Sequence, residues 1–438
     1  MTHSRNLSAV DGKPGGWYPG SLPVYPTWTL LPFPLLVLGI AALPLLVPHW
    51  WEKPAFQAAF TAVCAGPLVV FSLSSGFSHA VFEATHEYVA FITTLAALYV
   101  TSGGIHLSGD IEATPRVNLA FLLLGASLAS FIGTTGASML LIRPLLRTNR
   151  QRSHTAHLVP FFIIMVANAG GLLTPLGDPP LLVGYIEGVP FFWTLKLFPI
   201  WLLYVGLVGL AFYLTDVRAY ARESRDTLRR DVSEREPLGL TGRRNVALLI
   251  LVVPAAMLPT PYREVALVTI AALSIGLTPR AVHGKNDFSY APIIDVALVF
   301  SGLFLCLDPI QVALAEAAPD LPVQQAWQMF WGAGLLSSVL DNAPTYSAFT
   351  ALARGLPPGV HAAVAGVDPI RLAAISAGAV VMGATTYIGN GPNLMVKAIA
   401  ERAGVRMPSF LRYALFASLI LLPAHLVTTL GLWLLERP

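Results

Sequence analysis

The chain has 438 residues, and only 12% of them are charged, against about 25% in soluble domains. Hydrophobic residues make up 55% of the chain and the mean hydropathy is +0.65, which is more apolar side chain than one globular core can bury. This composition excludes a water-soluble fold and predicts an all-α polytopic membrane protein. A net charge of +3 gives no argument for nucleic-acid binding, so the lipid bilayer is the expected partner.

Residues 1–27 are polar and rich in Gly and Pro, and they lack the basic flank and apolar stretch of a signal peptide. We predict that they form a disordered tail. Cys64 and Cys306 lie far apart inside apolar runs, which favours packing roles over a disulfide or a metal site.

Ten apolar segments are long enough to cross a bilayer, at about 20 residues each. They lie near residues 28–48, 54–75, 84–103, 158–186, 193–215, 245–260, 263–278, 291–311, 369–400 and 409–435. Two further stretches, 117–146 and 325–353, are apolar around polar centres, GTTGAS at 133–138 and DNAPTYS at 341–347. We predict that each of these is a hairpin that enters the membrane and returns on the same side.

A charged segment divides the spans into two groups of five. Between Asp216 and Arg244 the chain carries eight Arg and six acidic residues. We therefore predict a first transmembrane repeat at 28–215, a cytoplasmic Arg-rich linker at 216–244 and a second transmembrane repeat at 245–438. The positive-inside rule places several clusters of basic residues on the cytoplasmic side together with this linker. They are Arg143, Arg147, Arg150, Arg152, Arg280, Lys285, Arg402, Arg406 and Arg412.

This charge bias puts both termini outside, so the two halves start from opposite sides of the membrane. A shift of 212 residues lays the pattern G-x-x-T-x-x-G-D-x-P, beginning at Gly171, on G-x-x-T-x-x-G-N-x-P, beginning at Gly383. A shift of 207 lays GTTGAS on LDNAPT at 340–345. Both matches predict an inverted repeat of two five-span halves, each with a re-entrant hairpin and a broken helix, as in secondary transporters.

The first break lies in 168-NAGGLLTPLGDPPLL-182. Its prolines lack donors and clash with the preceding turn, so we predict two half-helices joined by extended backbone. Such ends present free N–H groups to anions and free C=O groups to cations. Asp178 sits at the break with Thr174 nearby, and a carboxylate at bilayer depth indicates a functional site. The alternative is that Asp178 only caps the second half-helix.

The second break, 383-GATTYIGNGPNLMVKA-398, offers amides where the first has a carboxylate. Asn390 and Asn393 are candidate cation ligands. Thr385 and Thr386 could add hydroxyl oxygens, or could only hydrogen-bond back to their own helix.

The hairpins add the remaining candidates. Asp341 is the second predicted carboxylate, with Asn342 and Thr345 beside it. The first hairpin offers hydroxyls alone, at Thr134, Thr135 and Ser138. Two carboxylates with amide and hydroxyl oxygens suit a hard cation such as sodium, or a proton, better than a transition metal. We expect Asp178 and Asp341 to bind sodium as a transported species, and we expect no cofactor.

A third group of titratable residues opens the third span. His79, Glu83, His86 and Glu87 share one helical face and could relay protons. The simpler interpretation, which we favour, is a solvated helix mouth at the outer interface. Asp295 and Asp308 are likewise expected at the interface.

Arg143 is the one obvious base near a hairpin. It could pair with an anionic substrate. We favour a side chain that extends to the cytoplasmic surface beside Arg147.

Three strings resemble the ion transporter superfamily: TTGASMLLIRPLL (134–146), NAGGLLTPLGDPP (168–180) and DNAPTY (341–346). They are similar to the branch that holds NhaD-type sodium/proton antiporters, arsenite efflux pumps and proteins named for citrate transport. The resemblance implies a homodimer on a scaffold domain, an elevator-like movement and a site formed by four segments. Those segments would be hairpin tips Thr134 to Ser138 and Asp341 to Thr345, and breaks Thr174 to Pro180 and Thr385 to Asn393.

The hairpin tips depart from the dicarboxylate branch, which resembles Ser-Asn-Thr at both positions, whereas this chain has Gly-Thr-Thr and Asp-Asn-Ala. An acid at that place repels citrate unless a cation accompanies it. We therefore expect a sodium/proton antiporter in a bacterial inner membrane. The alternatives are cation-coupled transport of citrate or another organic anion, arsenite efflux, and an intramembrane enzyme. The last is disfavoured because His86 and Glu87 are followed by Ala90 where H-E-x-x-H needs a second His.

Overall fold

Helices form nearly all the regular structure of the protein, for which a computed structural model describes residues 25–233, 237–359 and 361–436. The first-half helices are α1 (Pro32–Leu46), α2 (Pro48–Trp51), α3 (Pro54–Ser74), α4 (Ser78–Gly103), α5 (Pro115–Ile132), α6 (Thr134–Thr148), α7 (Leu158–Met165), α8 (Pro179–Ile186), α9 (Phe198–Tyr220) and α10 (Arg225–Ser233). The predicted tail, 1–27, lies outside the described residues up to residue 24, and Thr27 already begins a short 3-10 helix, Thr27–Leu30.

The described part of the second half contains nine further helices. They are α11 (Arg243–Ala256), α12 (Tyr262–Leu277), α13 (Arg280–Lys285), α14 (Ala291–Ala317), α15 (Ala326–Ser337), α16 (Asn342–Arg354), α17 (Pro369–Val381), α18 (Gly391–Arg402) and α19 (Phe410–Leu435). Four further 3-10 segments are Ala169–Leu173, Phe191–Leu197, Ala318–Asp320 and Met382–Thr385. Two short strands, β1 (His106–Ser108) and β2 (Gly239–Thr241), pair antiparallel with His106 opposite Thr241.

The helices confirm the predicted all-α polytopic membrane fold. Within the described residues, six helices are long and apolar enough to cross a bilayer, against ten predicted spans, and one of the six, Pro115–Ile132, belongs to a predicted hairpin. The outer helices carry exposed leucines, among them Leu415, Leu419 and Leu426 on α19, whereas all eight residues of α7 are buried. Apolar surface therefore faces outward along the spans, as lipid requires, and the broken helices lie inside.

Both predicted hairpins are helix pairs that reverse at their polar centres. Helix α5 contacts α6 and turns at Gly133, whose φ of 80° favours glycine. Helix α15 likewise contacts α16, and the chain turns at residues 338–341. The polar strings thus interrupt these apolar stretches at the predicted positions.

Both predicted broken helices are present. A 3-10 turn and extended backbone separate α7 from α8, and the same combination separates α17 from α18. Pro179 and Pro180 stand in the first turn of α8, where a missing N–H leaves no helical bond unmade. Pro392 has the equivalent place in α18. The prolines therefore begin the second half-helices rather than merely interrupting a span.

The two breaks have matching backbone conformations. Thr174 has φ and ψ of −137° and 159°, and its counterpart Thr386 has −130° and 168°. Asp178 has −147° and 147°, and Asn390 has −156° and 136°. The pairs are those given by the 212-residue shift, which supports the inverted repeat; the opposite orientation of the two halves remains a prediction.

Helix α9 runs through Asp216, where the predicted linker begins, and ends at Tyr220. Asp216 is fully buried, and its carboxylate accepts hydrogen bonds from Arg152 Nη2 at 2.6 Å and Asn118 Nδ2 at 2.9 Å. Because its charge is neutralised there, the helix does not end at this acid. The described part of the predicted linker contains α10 and β2.

Candidate functional site

A cavity of about 430 Å³ lies where the two hairpin tips meet the two helix breaks. Apolar residues of α1, α4 and α14 form much of its wall. Its polar lining residues are Tyr99, Thr134, Thr135, Asp178, Asp295, Asp341 and Asn390. Among the described lining residues there are three carboxylates and no Lys, Arg or His.

Asp178 occupies the centre of the site and is only 2% exposed. Its Oδ1 accepts hydrogen bonds from Thr134 Oγ1 at 2.9 Å and Asn390 Nδ2 at 3.1 Å. Its Oδ2 accepts one from Asn342 Nδ2 at 2.6 Å. Hydrogen bonds to a carboxylate stabilise its ionised form, whereas burial disfavours that form, so this side chain suits either a bound cation or a bound proton.

Four helix N-termini converge on this carboxylate. Thr134 and Asn342 are the first residues of α6 and α16, and Asp178 and Asn390 are the N-caps of α8 and α18. Each helix N-terminus carries a partial positive charge. The ends therefore stabilise Asp178, and they also soften the repulsion that an incoming anion would meet.

The capping alternative for Asp178 receives no support from local geometry, because its side chain makes no capping bond to α8. Asp341 is the capping carboxylate instead, and its Oδ1 accepts from Ala343 N at 3.1 Å. It is half-buried, lines the cavity and interacts electrostatically with Asp178. Two carboxylates of like charge thus face one cavity, which favours a cation between them.

Asn342 has an unsatisfied oxygen. Its Nδ2 donates to Asp178, while its Oδ1 is buried and has no hydrogen-bond partner within the described residues. A buried acceptor without a donor is costly. It can be satisfied by a cation or by a protonated group.

The other predicted hairpin and break residues divide by role. Thr174 and Thr386 donate to backbone carbonyls, the first to Ser130 O and the second to Ser338 O at 2.5 Å. Thr345 Oγ1 donates to Asp341 O at 2.9 Å. These hydroxyls join each break to its neighbouring hairpin or hold a helix turn, and their protons do not point at Asp178.

Three more predicted residues lie outside the cavity lining. Asn393 Nδ2 donates to Gly383 O and Thr386 O, both at 2.9 Å, so it holds the second break in shape. Ser138 is buried in α6, its hydroxyl has no hydrogen-bond partner in the part of the chain that the structure describes, and Thr385 is half-buried. The structure therefore gathers Thr134, Thr135, Asp178, Asp341, Asn342 and Asn390 around the cavity.

The profile of a family described as "putative citrate transport" matches residues 23–434. The chain belongs to this family. The family is part of the ion transporter superfamily, as the sequence strings indicated. Membership makes the protein a multi-pass integral membrane protein and a secondary transporter. No curated protein matches the chain.

Asn168 lies at the centre of the site in this member of the citrate-transport family, although it was not among the residues predicted from the sequence. Asn168 Nδ2 donates to Ile163 O at 2.8 Å and to Asn393 Oδ1 at 2.7 Å, and its Oδ1 accepts from Asn390 Nδ2 at 3.2 Å. It therefore bonds the first break to the second. Asn168 is the first residue of the NAGG string, and a polar residue directly before the helix break was the sequence feature that could have identified it.

Asp295 was expected at the interface but lines the cavity with Asp178 and Asp341. It lies in the second turn of α14, and this end of the helix packs beside the site. Asp308 lies within α14 and accepts a hydrogen bond from Tyr25. A single acid near a span end gave no sequence signal that separates these two environments.

The four residues of the predicted relay lie in the first turns of α4, away from the cavity lining. His79 Nδ1 is 3.3 Å from Glu83 Oε2, and both side chains are exposed, as is His86. Glu87 is half-buried and interacts electrostatically with Glu187. Three of the four side chains are thus exposed, and Glu87 lies near Glu187, which follows α8; a solvated helix mouth remains a prediction.

Proposed function

We propose that the protein exchanges sodium for protons by alternating access at the cavity around Asp178 and Asp341. The supporting observation is the charge of this cavity: three carboxylates line it, and none of its described lining residues is basic. Such a site attracts a cation or a proton and repels a free polycarboxylate.

Both ions compete for the same carboxylates in this mechanism. Sodium takes oxygens of Asp178, Asp341 and Asn342, which are hard ligands of the kind that sodium prefers. Protonation neutralises the same carboxylates and displaces the ion. A site loaded with either ion can reorient, whereas an empty charged site at bilayer depth reorients only at high cost, and exchange follows.

The predicted topology gives the cavity an orientation. Tyr99, near the end of α4, and Pro292, near the start of α14, line it. The positive-inside rule places both helix ends on the cytoplasmic side. We therefore infer that the cavity opens to the cytoplasmic side of the membrane, and that Glu87 lies towards the outer side.

The test is exchange in proteoliposomes that contain a pH-sensitive dye, driven by a sodium gradient. We expect sodium-dependent proton movement in the unaltered protein and at least tenfold slower movement in Asp178→Asn and Asp341→Asn. Asp320→Asn, at an exposed position outside the cavity, is the matched control. Unchanged exchange in both site variants would contradict the proposal.

A second candidate is cation-coupled uptake of citrate or another organic anion. Two observations favour it: the description of the family, and the four helix N-termini that converge on the site. In this case sodium or a proton neutralises the aspartates and the anion binds beside it. Radiolabelled citrate uptake in the same proteoliposomes separates the two candidates, because only the second requires it.

A bacterial inner membrane and a homodimer are further proposals, which rest on the resemblance to the ion transporter superfamily. Mass measurement of the protein in detergent, with the detergent contribution subtracted, tests the dimer. A monomer that still exchanges sodium for protons would show that the dimer is not needed for transport.

A further inference from the structure

A second cavity, of about 700 Å³, is lined by arginine. It lies between the end of α6, the loop that follows and the end of α18, and it shares no lining residue with the transport cavity. Its arginines are Arg143, Arg147, Arg150, Arg152, Arg402 and Arg406. Asp287 is the one acidic residue among its described lining residues.

Some of this positive charge is neutralised by the protein. Arg152 is fully buried and pairs with Asp216 at 2.6 Å and Glu223 at 3.7 Å. Arg150 has a longer contact with Asp110, at 3.9 Å. These pairs belong to the cavity wall, and they leave Arg147, Arg402 and Arg406 without an acidic partner in salt-bridge contact among the described residues.

The remaining arginines face the cavity with little compensation. Arg147 Nη1 donates to the carbonyls of Leu107 at 3.3 Å and Gly109 at 3.1 Å, which bind the group but leave its charge in place. Arg402 and Arg406 are exposed and have no acid in salt-bridge contact among the described residues. Like charges held together in this way are unfavourable unless an anion joins them.

Arg143 gives the clearest sign of a ligand. Its side chain is 17% exposed, and its nearest acid, the exposed Asp287, is 3.5 Å away. Arg402 is close enough to repel it electrostatically. Its Nη1 is buried without a hydrogen-bond partner among the described residues. A guanidinium that has a free N–H donor and a second arginine nearby is suited to bind an anion with several acceptor oxygens.

We propose that this cavity binds a phosphate-bearing anion. Guanidinium forks match the geometry of phosphate oxygens and can donate two hydrogen bonds to one group. The volume of about 700 Å³ exceeds that of one phosphate, so the cavity accepts a larger molecule that carries one. Anionic phospholipid headgroups and soluble cytoplasmic phosphates share this chemistry and are both found at the side where arginines cluster.

The position of the site links it to the transport elements. Helices α6 and α18 begin beside Asp178, at Thr134 and Gly391, and they end at this cavity. The two helices also contact each other. An anion that joins Arg143 to Arg402 therefore ties together the far ends of two helices whose N-termini form the transport site.

The test compares Arg402→Gln/Arg406→Gln with Arg229→Gln/Arg230→Gln. The control removes two exposed arginines from α10, which do not line the cavity. All four positions are exposed, so both variants should fold. Binding is measured by thermal stabilisation in two arms: inorganic pyrophosphate added in detergent at constant ionic strength, and nanodiscs of phosphatidylcholine with or without phosphatidylglycerol.

We expect the unaltered protein and the control to be stabilised in at least one arm. The cavity variant should bind at least about tenfold more weakly, the effect of losing one charge-assisted hydrogen bond. Loss in the pyrophosphate arm identifies a soluble phosphate, and loss in the phosphatidylglycerol arm alone identifies a lipid headgroup. Absence of stabilisation in both arms, or equal loss in the control, overturns the proposal, whatever the outcome of the sodium and citrate assays.

Discussion

Thr134 and Thr174 have different roles at this site because their hydroxyl groups donate hydrogen bonds to different acceptors. Thr134 donates to the carboxylate of Asp178, whereas Thr174 donates to the backbone of Ser130. The hydrogen bond from Thr134 affects how tightly the Asp178 carboxylate binds a proton or a cation, whereas the hydrogen bond from Thr174 holds the first break in place. Residue-level function here depends on the acceptor and not on the residue type.

Replacing Thr134 with valine tests this distinction. The change keeps the branched shape but removes a hydrogen bond to a charged group, worth about 1.5–3 kcal/mol. Asp178 then holds a proton more tightly, and we expect the apparent KM for sodium to rise roughly 10–100-fold. Thr269→Val, on the exposed face of α12, is the matched control. Equal sodium dependence in both variants would contradict a role for Thr134 at the carboxylate.

At the scale of elements, each break depends on a close approach between two glycines. A Cβ on Gly177 would clash with the carbonyl oxygen of Gly171, and a Cβ on Gly389 would lie 2.6 Å from the carbonyl oxygen of Gly383. Glycine is therefore required at these positions because a side chain would not fit, and not because the backbone adopts a left-handed conformation. The requirement explains why both breaks carry the same glycine spacing in the sequence.

Gly177→Ala should destabilise the protein by roughly 1–3 kcal/mol, the usual cost of an overpacked interior. The unfolding midpoint in detergent should fall, and exchange should fall with it because Asp178 follows directly. Gly206→Ala, in α9 with open space around the added methyl, is expected to be neutral or slightly stabilising. Equal midpoints in the two variants would show that the break can relax.

A buried ion pair fastens the first broken helix to the second hairpin. Glu187 follows α8, and its Oε2 lies 2.8 Å from Arg354 Nη2 at the end of α16, with side chains 7% and 10% exposed. Its Oε1 accepts from Ser347 Oγ at 2.5 Å. The elements that carry Asp178 and Asp341 are thus joined at both ends, once at the site and once here.

Arg354→Gln leaves a buried carboxylate unpaired, which costs about 3–5 kcal/mol. We expect a large fall in the unfolding midpoint that Glu187→Gln/Arg354→Gln partly restores, because the double variant removes the unpaired charge. The pair of half-buried Lys397 and exposed Glu401 on α18 provides a control, since its loss should cost at most ~0.5 kcal/mol. A double variant that is less stable than Arg354→Gln would contradict this account.

At the scale of the whole molecule, the proposed exchange uses one set of carboxylates for both ions, so sodium and protons should compete. Lowering the pH by one unit raises the proton concentration tenfold. Where protons occupy the site, the apparent KM for sodium should rise by up to about tenfold, while the rate at saturating sodium stays the same. Proteoliposome exchange measured over a grid of pH and sodium concentration checks this. A sodium KM that is constant over two pH units would point to separate sites.

Both hairpin turns and both breaks, unlike the count of ten spans, could be predicted from the sequence because Pro, Gly and polar residues interrupt apolar runs locally. The roles of individual polar residues could not. Asp295 and Asp308 look alike in the sequence, yet only the first lines the transport cavity, since the packing of α14 decides which face turns inward. The arginine-lined cavity was also out of reach, because Arg143 and Arg402 are brought together only by the fold.

The hydrogen bonds of Asn168 have a mechanical consequence. This side chain bonds to Asn393 and Asn390 across the centre of the protein, so the two breaks cannot separate without leaving buried amides unsatisfied. Hinge-like opening between the two breaks is therefore disfavoured. Under the proposed exchange, an ion held between the two breaks therefore moves together with both of them.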